Sequence, residues 1–211
     1  MGIFGNFFSS PYPWKDSHVR SRILPLEFRP AVNEADFAFC ESLHRKNEAH
    51  GVPADHIETF QESLRNGQML TLIASLQDKQ VATCSLQWAG ETMLCLTYGL
   101  VDPLFQHQGI GTTMCFARFG LIPLERAPVG VMINALETSM SFYQRLGFQS
   151  IGRMSDVTHR FHVACLQGMT AELIDYSRAL LDEAGAKIDW LAMQIPEQPE
   201  CTGEDAFCFF D

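Results

Sequence analysis

Gly109 and Gly111 stand in the run Gln106-His107-Gln108-Gly109-Ile110-Gly111-Thr112-Thr113, where a strand-like segment, Met93–Val101, passes into a helix-like one starting near Gly109. A helix N-terminus offers backbone N–H groups with no intrahelical partner, and its dipole favours negative charge. Glycines at 109 and 111 remove side chains that would hold a bulky anion away. The chemistry expected of this loop is phosphate binding on the amides of Gln108 to Thr112. A short Gly-x-Gly also makes a plain strand-to-helix turn, so a second segment matters: Ser139-Met140-Ser141-Phe142-Tyr143-Gln144-Arg145-Leu146-Gly147-Phe148.

Together the two segments resemble the GNAT superfamily of acyl-CoA-dependent N-acyltransferases. Gln106, Gly109 and Gly111 carry a pattern similar to its coenzyme A loop, Arg/Gln-x-x-Gly-x-Gly/Ala. Phe142, Tyr143, Gly147 and Phe148 carry a pattern similar to its Phe-Tyr-x-x-x-Gly-Phe helix. The resemblance extends over residues 24–168. It implies an α/β (α+β) fold with a central mixed sheet and helices on both faces. It also implies that two central strands splay, so that pantetheine pairs with backbone like an added strand. The cofactor contacts so implied are Leu100, Val101, Gln106, His107, Gln108, Gly109, Ile110, Gly111, Thr112, Thr113, Ser139 and Phe142, with Ile133 to Ala135 as the opposite wall. The resemblance also implies acetyl-CoA as cosubstrate and no metal.

Tyr143 is the expected acid. A phenol, with a reference pKa of about 10, can protonate a departing thiolate whose thiol has a comparable value. Adjacent helical residues point in different directions, so Phe142 and Tyr143 are not expected to share one core face. Ser139 either contacts the phosphopantetheine arm or serves as a helix-start residue. Gln106, where many relatives have Arg, brings a hydrogen bond without charge. Leu136 stands where many relatives have Asn. The base is open. Glu91 sits at a strand's outer end, and Tyr98, Asp156, His159 and His162 are alternatives for a relay through water. Glu48, in the stretch 45–56 that would line the acceptor pocket, is able to meet a cationic amine.

Composition bounds these readings. With 211 residues and 46% hydrophobic content, the chain suits one domain with extra material. No apolar run approaches the ~20 residues of a membrane span. Seven cysteines without a Cys-x-x-Cys pair read as reduced thiols in a cytoplasmic protein, and the scattered histidines argue against zinc. The net charge is −10, and residues 170–211 hold ten acidic against two basic side chains. That acidic tail argues against nucleic acid and suits a cationic acceptor, either a small amine or a protein.

The expected order is β-α-α-β-β-β-α-β-α-β-β. It divides into an arm at 1–23, a catalytic unit at 24–168 and an extension at 169–211. The arm either straps over the fold or stays disordered. The extension carries an amphipathic helix, Ala171 to Ala184, and ends in Phe207-Cys208-Phe209-Phe210, so it is expected to dock on the domain or across a homodimer. The leading function is N-acetyl transfer to a primary amine by direct attack in a ternary complex, since no cysteine has a matching histidine motif. The alternative is a non-catalytic acyl-CoA-binding module or sensor.

Overall fold

A computed structural model of the chain describes residues 17–155 and 160–197. A single helical turn, α1 (Ser17–Arg20), precedes β1 (Glu27–Pro30), α2 (Glu34–Glu48), α3 (His56–Arg65), β2 (Leu70–Leu76), β3 (Lys79–Trp88), β4 (Met93–Val101), α4 (Ile110–Gly120), β5 (Val129–Leu136), α5 (Glu137–Arg145), β6 (Gln149–Ser155), β7 (Arg160–Met169) and α6 (Ala171–Glu183). The expected element order holds from β1 onward, with the helical turn α1 and short 3-10 turns at Pro103–Phe105 and Leu124–Arg126 added.

Local chemistry explains most boundaries. Asn33 caps α2 by accepting from the Asp36 amide at 3.0 Å. Asp36 in turn pairs with Arg29, whose hydrogen bond holds the carboxyl below its usual range, tying α2 to β1. The hairpin between β2 and β3 turns at Gln77 and Asp78, both left-handed, and Lys79 already belongs to β3. Two consecutive positive φ values match the strand twist of a two-residue hairpin.

The seven strands form one sheet in the order β1-β2-β3-β4-β5-β7-β6, in which only β4 and β5 run parallel. Each face carries its own core. Phe116, Phe119, Leu94, Leu96 and Phe148 are among those packed with α4, α5 and α6 on one face. Cys40, Leu43, Phe60, Ile73 and Leu100 pack with α2 and α3 on the other. The strand that carries both cores nearest the middle is β4. Its Leu94 and Leu96 serve the first core and its Leu100 the second, so its alternation is inverted part-way along.

The extension docks on the body over its described part. Leu173, Ile174, Leu180 and Leu181 of α6 are buried against the α4 side of the sheet. Arg178 donates to the carbonyls of Gly120 (2.7 Å) and Ile122 (3.3 Å), which closes the C-terminus of α4. Lys187 then bonds to β1 through its backbone, accepting from the Phe28 amide and donating to the Leu26 carbonyl. Residues 1–16, and the apolar end at 207–210, lie outside the described residues.

Candidate active site

The parallel ladder between β4 and β5 runs from Met93 opposite Gly130 to Leu96 opposite Ile133 and ends there. Beyond it, β4 follows β3 to Val101 and β5 follows β7 to Leu136. The cause of the parting is a bulge. Thr97 faces Ser85 and Leu100 faces Thr83, so β4 has one residue more than β3 between those pairs. Tyr98, within the bulge, has φ +43°. Thr97 and Tyr98 both lie on the α2–α3 side, which is how the alternation inverts. The result is a slot whose two edges, Thr97–Val101 and Asn134–Leu136, have no strand pairing with each other. Gly99 and Asn134 are exposed on it. Unpaired strand edges of this kind suit an extended ligand bearing amides. A lone glycine inside a central strand, Gly99, is the sequence signal for such a bulge.

At the slot's outer end, β4 runs through a 3-10 turn into α4. Asp102 accepts from the Leu104 amide at 3.0 Å and from Lys46 Nζ at 2.8 Å. The Lys46 bond holds its carboxyl below the usual range. His107 (φ +64°) and Gly109 (φ +100°) are both left-handed. They lead the chain into the first turn of α4, where the amides of Ile110 to Thr112 precede any intrahelical acceptor.

The side chains of this loop divide sharply. His107 and Gln108 are exposed, whereas Ile110, Thr112 and Thr113 are buried and offer an anion only their backbone. Thr113 Oγ1 donates to the Gly109 carbonyl (3.1 Å) and accepts from the Leu24 amide (3.0 Å). Gln106 Nε2 donates to Asn47 Oδ1 (3.1 Å) and the Val101 carbonyl (3.3 Å), so it braces the loop against α2. Leu100 is buried and Val101 half-buried.

The two glycines also stand against close packing neighbours. A β-carbon on Gly109 would collide with the Arg22 carbonyl, and one on Gly111 would stand 3.6 Å from the Phe142 ring. Gly109 admits the chain segment that enters β1; Gly111 admits α5.

α5 begins at Glu137, and Ser139 Oγ donates to the Leu136 carbonyl at 3.0 Å as a helix-start residue does. Phe142 and Tyr143 do share a surface, contrary to expectation. Their rings meet edge-on at 4.9 Å, and Tyr143 meets Phe148 edge-on at 5.5 Å. Two adjacent helical residues manage this because Phe142 reaches over Gly111 while Tyr143 reaches toward β4. The Tyr143 hydroxyl ends 3.7 Å from where a β-carbon on Gly99 would be, at the slot. Burial raises the pKa of this phenol above its ordinary value, while Arg118 opposes the rise.

The chain that forms this slot between parted parallel strands matches one family model, the acetyltransferase (GNAT) domain, over residues 44–164. This is more than half of the chain. The protein belongs to the GNAT acetyltransferase family. Its fold is similar to that of an aminoglycoside 6'-N-acetyltransferase complexed with coenzyme A (15% identity, TM-score 0.55, 67% of this chain and 96% of that one). It is also similar to PaiA N-acetyltransferase from Thermoplasma acidophilum in complex with coenzyme A (15%, 0.53, 68% and 99%). A third is the ribosomal-protein-S18-alanine N-acetyltransferase from Escherichia coli (16%, 0.53, 69% and 94%). No curated protein matches the chain.

On the opposite face of this GNAT sheet, α2 and α3 close over the slot. Phe60 stacks on Tyr98 at 4.1 Å, and His44 lies 6.1 Å from Phe60. His44 is fully buried and neither ring nitrogen has a partner; one turn on, Glu48 Oε1 is also buried and unpaired. Burial lowers the His44 pKa, with the Glu48 charge opposing, so the ring is neutral near pH 7. Sequence reading passed over His44, although its place one turn after Cys40, beside Leu43, marked it as inward-facing. It passed over Arg118 too. Of the bases considered, Glu91 is exposed at the far end of β4. His162 Nε2 lies 2.7 Å from Glu137 Oε2, while Asp156 and His159 lie outside the described residues. A surface groove of about 1210 Å³ opens between β1, the β2–β3 turn and residues 186–191, away from the groups of the GNAT site.

Proposed function

We propose that this protein is an N-acetyltransferase that moves the acetyl group of acetyl-CoA to a primary amine by direct attack in a ternary complex. The observation that carries the reading is the parting of β4 and β5 after Leu96 and Ile133, with free helix-start amides at one end and Tyr143 beside Gly99. Pantetheine lies along Thr97–Val101, and the pyrophosphate rests on the amides of Gln108 to Thr112. His107 and Gln108 supply the exposed side chains there; Phe142 and Ser139 border the arm on the α5 side. Tyr143 gives its proton to the departing sulfur.

The acceptor enters from the α2–α3 face. Glu48 takes the charge of its ammonium group, and neutral His44 is suited to accept the proton that must leave before nitrogen attacks. The thiols support direct attack over a cysteine-bound intermediate. Burial pushes Cys40 and Cys84 up to about 11 and Cys95 up to about 12, so none is a thiolate at neutral pH. These free, mostly buried thiols also support a cytoplasmic setting. We assign the transferase unit to residues 24–168, preceded by an arm at 1–23 and followed by the extension at 169–211.

The test is release of free coenzyme A thiol from acetyl-CoA across a panel of amines. Since relatives of this fold include an aminoglycoside and a ribosomal-protein acetyltransferase, the panel spans aminoglycosides, small polyamines and peptides with free N-termini. Acceptor-dependent release is expected. Tight acetyl-CoA binding with no release by any amine would replace the enzyme with an acyl-CoA sensor.

A further inference from the structure

Arg118, in the last turn of α4, is the largest fully buried side chain of the described residues, at 2% exposure. Its guanidinium is always charged, with five N–H donors and no acceptor. Among the described residues no carboxylate pairs with it. Its hydrogen bonds go to neutral acceptors: Nε donates to the Met114 carbonyl at 3.4 Å and an Nη to Cys115 Sγ at 3.4 Å. Burying a cation without an anion is costly, and a side chain of similar volume without charge would pack there at less cost. What the charge does face is Tyr143. Both guanidinium Nη atoms lie 3.5 and 3.6 Å from the β-carbon position of Gly99, and Tyr143 Oη lies 3.7 Å from the same point. The two groups converge at the slot, and the missing side chain at Gly99 leaves them uncovered.

We propose that Arg118 is the residue that positions and activates the Tyr143 proton, by donating to Tyr143 Oη and stabilising the phenolate left when that proton goes to sulfur. The inference rests on the reading of Tyr143 as the acid. Its direction follows from donor chemistry. Arg118 cannot accept, so a hydrogen bond between the two has Tyr143 Oη as acceptor, and the phenol's own proton is turned elsewhere. In the transfer step the nitrogen–carbon bond forms and the carbon–sulfur bond breaks, its electron pair going to sulfur. Sulfur takes the Tyr143 proton. The proton that nitrogen sheds as the amide forms returns to the phenolate; the earlier ammonium proton leaves through the acceptor-side base. Between these events a negative oxygen exists in a buried place, and Arg118 is the cation beside it. The other titratable groups facing Tyr143 are the thiols of Cys84 on β3 and Cys115 on α4, both neutral, so neither relieves that charge.

The experiment combines Arg118→Met, which removes charge and donors, with Arg118→Lys, which keeps the charge, each alone and with Tyr143→Phe. Arg118→Met is expected to lower kcat about tenfold or more, to leave coenzyme A affinity within about twofold, and to move the tyrosinate absorbance change assigned to Tyr143 to higher pH. Arg118→Lys should recover part of each change. In the Tyr143→Phe protein, Arg118→Met should cost nothing further in kcat, because the group it acts through is gone. If Arg118→Met does not fold, Arg118→Gln, which keeps an N–H but no charge, takes its place under the same criteria. A folded neutral variant with unchanged kcat, or an equal loss with and without the Tyr143 hydroxyl, overturns the role of Arg118 while leaving Tyr143 as the acid. Full kcat in Tyr143→Phe alone overturns the reading beneath it.

Discussion

The carbonyl oxygen of Arg22 lies 2.3 Å from where a β-carbon on Gly109 would be, so the chain entering the first strand and the start of α4 are locked face to face. The lock has a second point: the Leu24 amide donates to Thr113 Oγ1 one helical turn further on. Gly109 also has φ +100°, a conformation other residues adopt with strain.

Gly109→Ala should therefore destabilise the fold by about 1–3 kcal/mol from strain alone, plus the cost of displacing residues 22–24. Gly111→Ala, whose β-carbon meets the Phe142 ring at ordinary contact distance, should change stability little. Thermal unfolding of the two variants side by side checks this. Equal melting temperatures would show that the Arg22 contact is dispensable. Gly111→Leu should drive Phe142 off the loop and lower coenzyme A affinity by displacement of α5, as calorimetry with the folded variant would read.

Tyr143→Phe keeps both edge-on ring contacts and removes only the proton. A fall in kcat of roughly tenfold to several-hundredfold is expected, with coenzyme A affinity little changed, since the amides that hold phosphate are elsewhere. Steady-state kinetics on the acceptor found by the amine panel measures it, and full activity would reduce Tyr143 to packing.

His44 makes stability depend on pH. Its folded pKa is lowered, chiefly by burial, below the unfolded value of about 6.5. The groups that bear on it are Glu48 and Arg45 on its own helix and His56 on the next. Between the two pKa values the unfolded chain binds the extra proton. The stabilisation is thus complete above about pH 6.5 and is lost as pH falls through the folded pKa. In His44→Gln this part of the acid loss should vanish, so the denaturant midpoints of the two proteins should converge as pH drops from 7 toward 5. Parallel midpoint curves would show that His44 is not buried neutral.

Truncation after Thr170 should lower the melting temperature sharply. It removes four buried apolar side chains of α6, each worth about 1.5–3 kcal/mol of burial, together with the Arg178 bonds that end α4. A truncated chain as stable as the full one would mean that α6 contributes nothing to the core.

The element order, the strand Met93–Val101, the helix faces of α3 and the family were all legible in the sequence. These depend on local things: side-chain periodicity, capping residues and two motifs whose residues are near neighbours in the chain. What the loop's glycines meet was not legible, because Arg22 and Phe142 are distant in sequence and arrive only when the sheet closes. Nor was the inversion of β4. A period of two would set Leu94, Leu96, Tyr98 and Leu100 on one face, but the bulge sends Leu100 to the second core and leaves Gly99 toward Arg118 and Tyr143. Which face a residue serves after a bulge depends on how the extra residue is absorbed against β3, and that is a property of the paired strands. The same holds for His44, Glu48 and Arg118. Their side chains announce charge or titration in any sequence, but burial without partners, and convergence on one slot, exist only once two helices and two parted strands have packed around them.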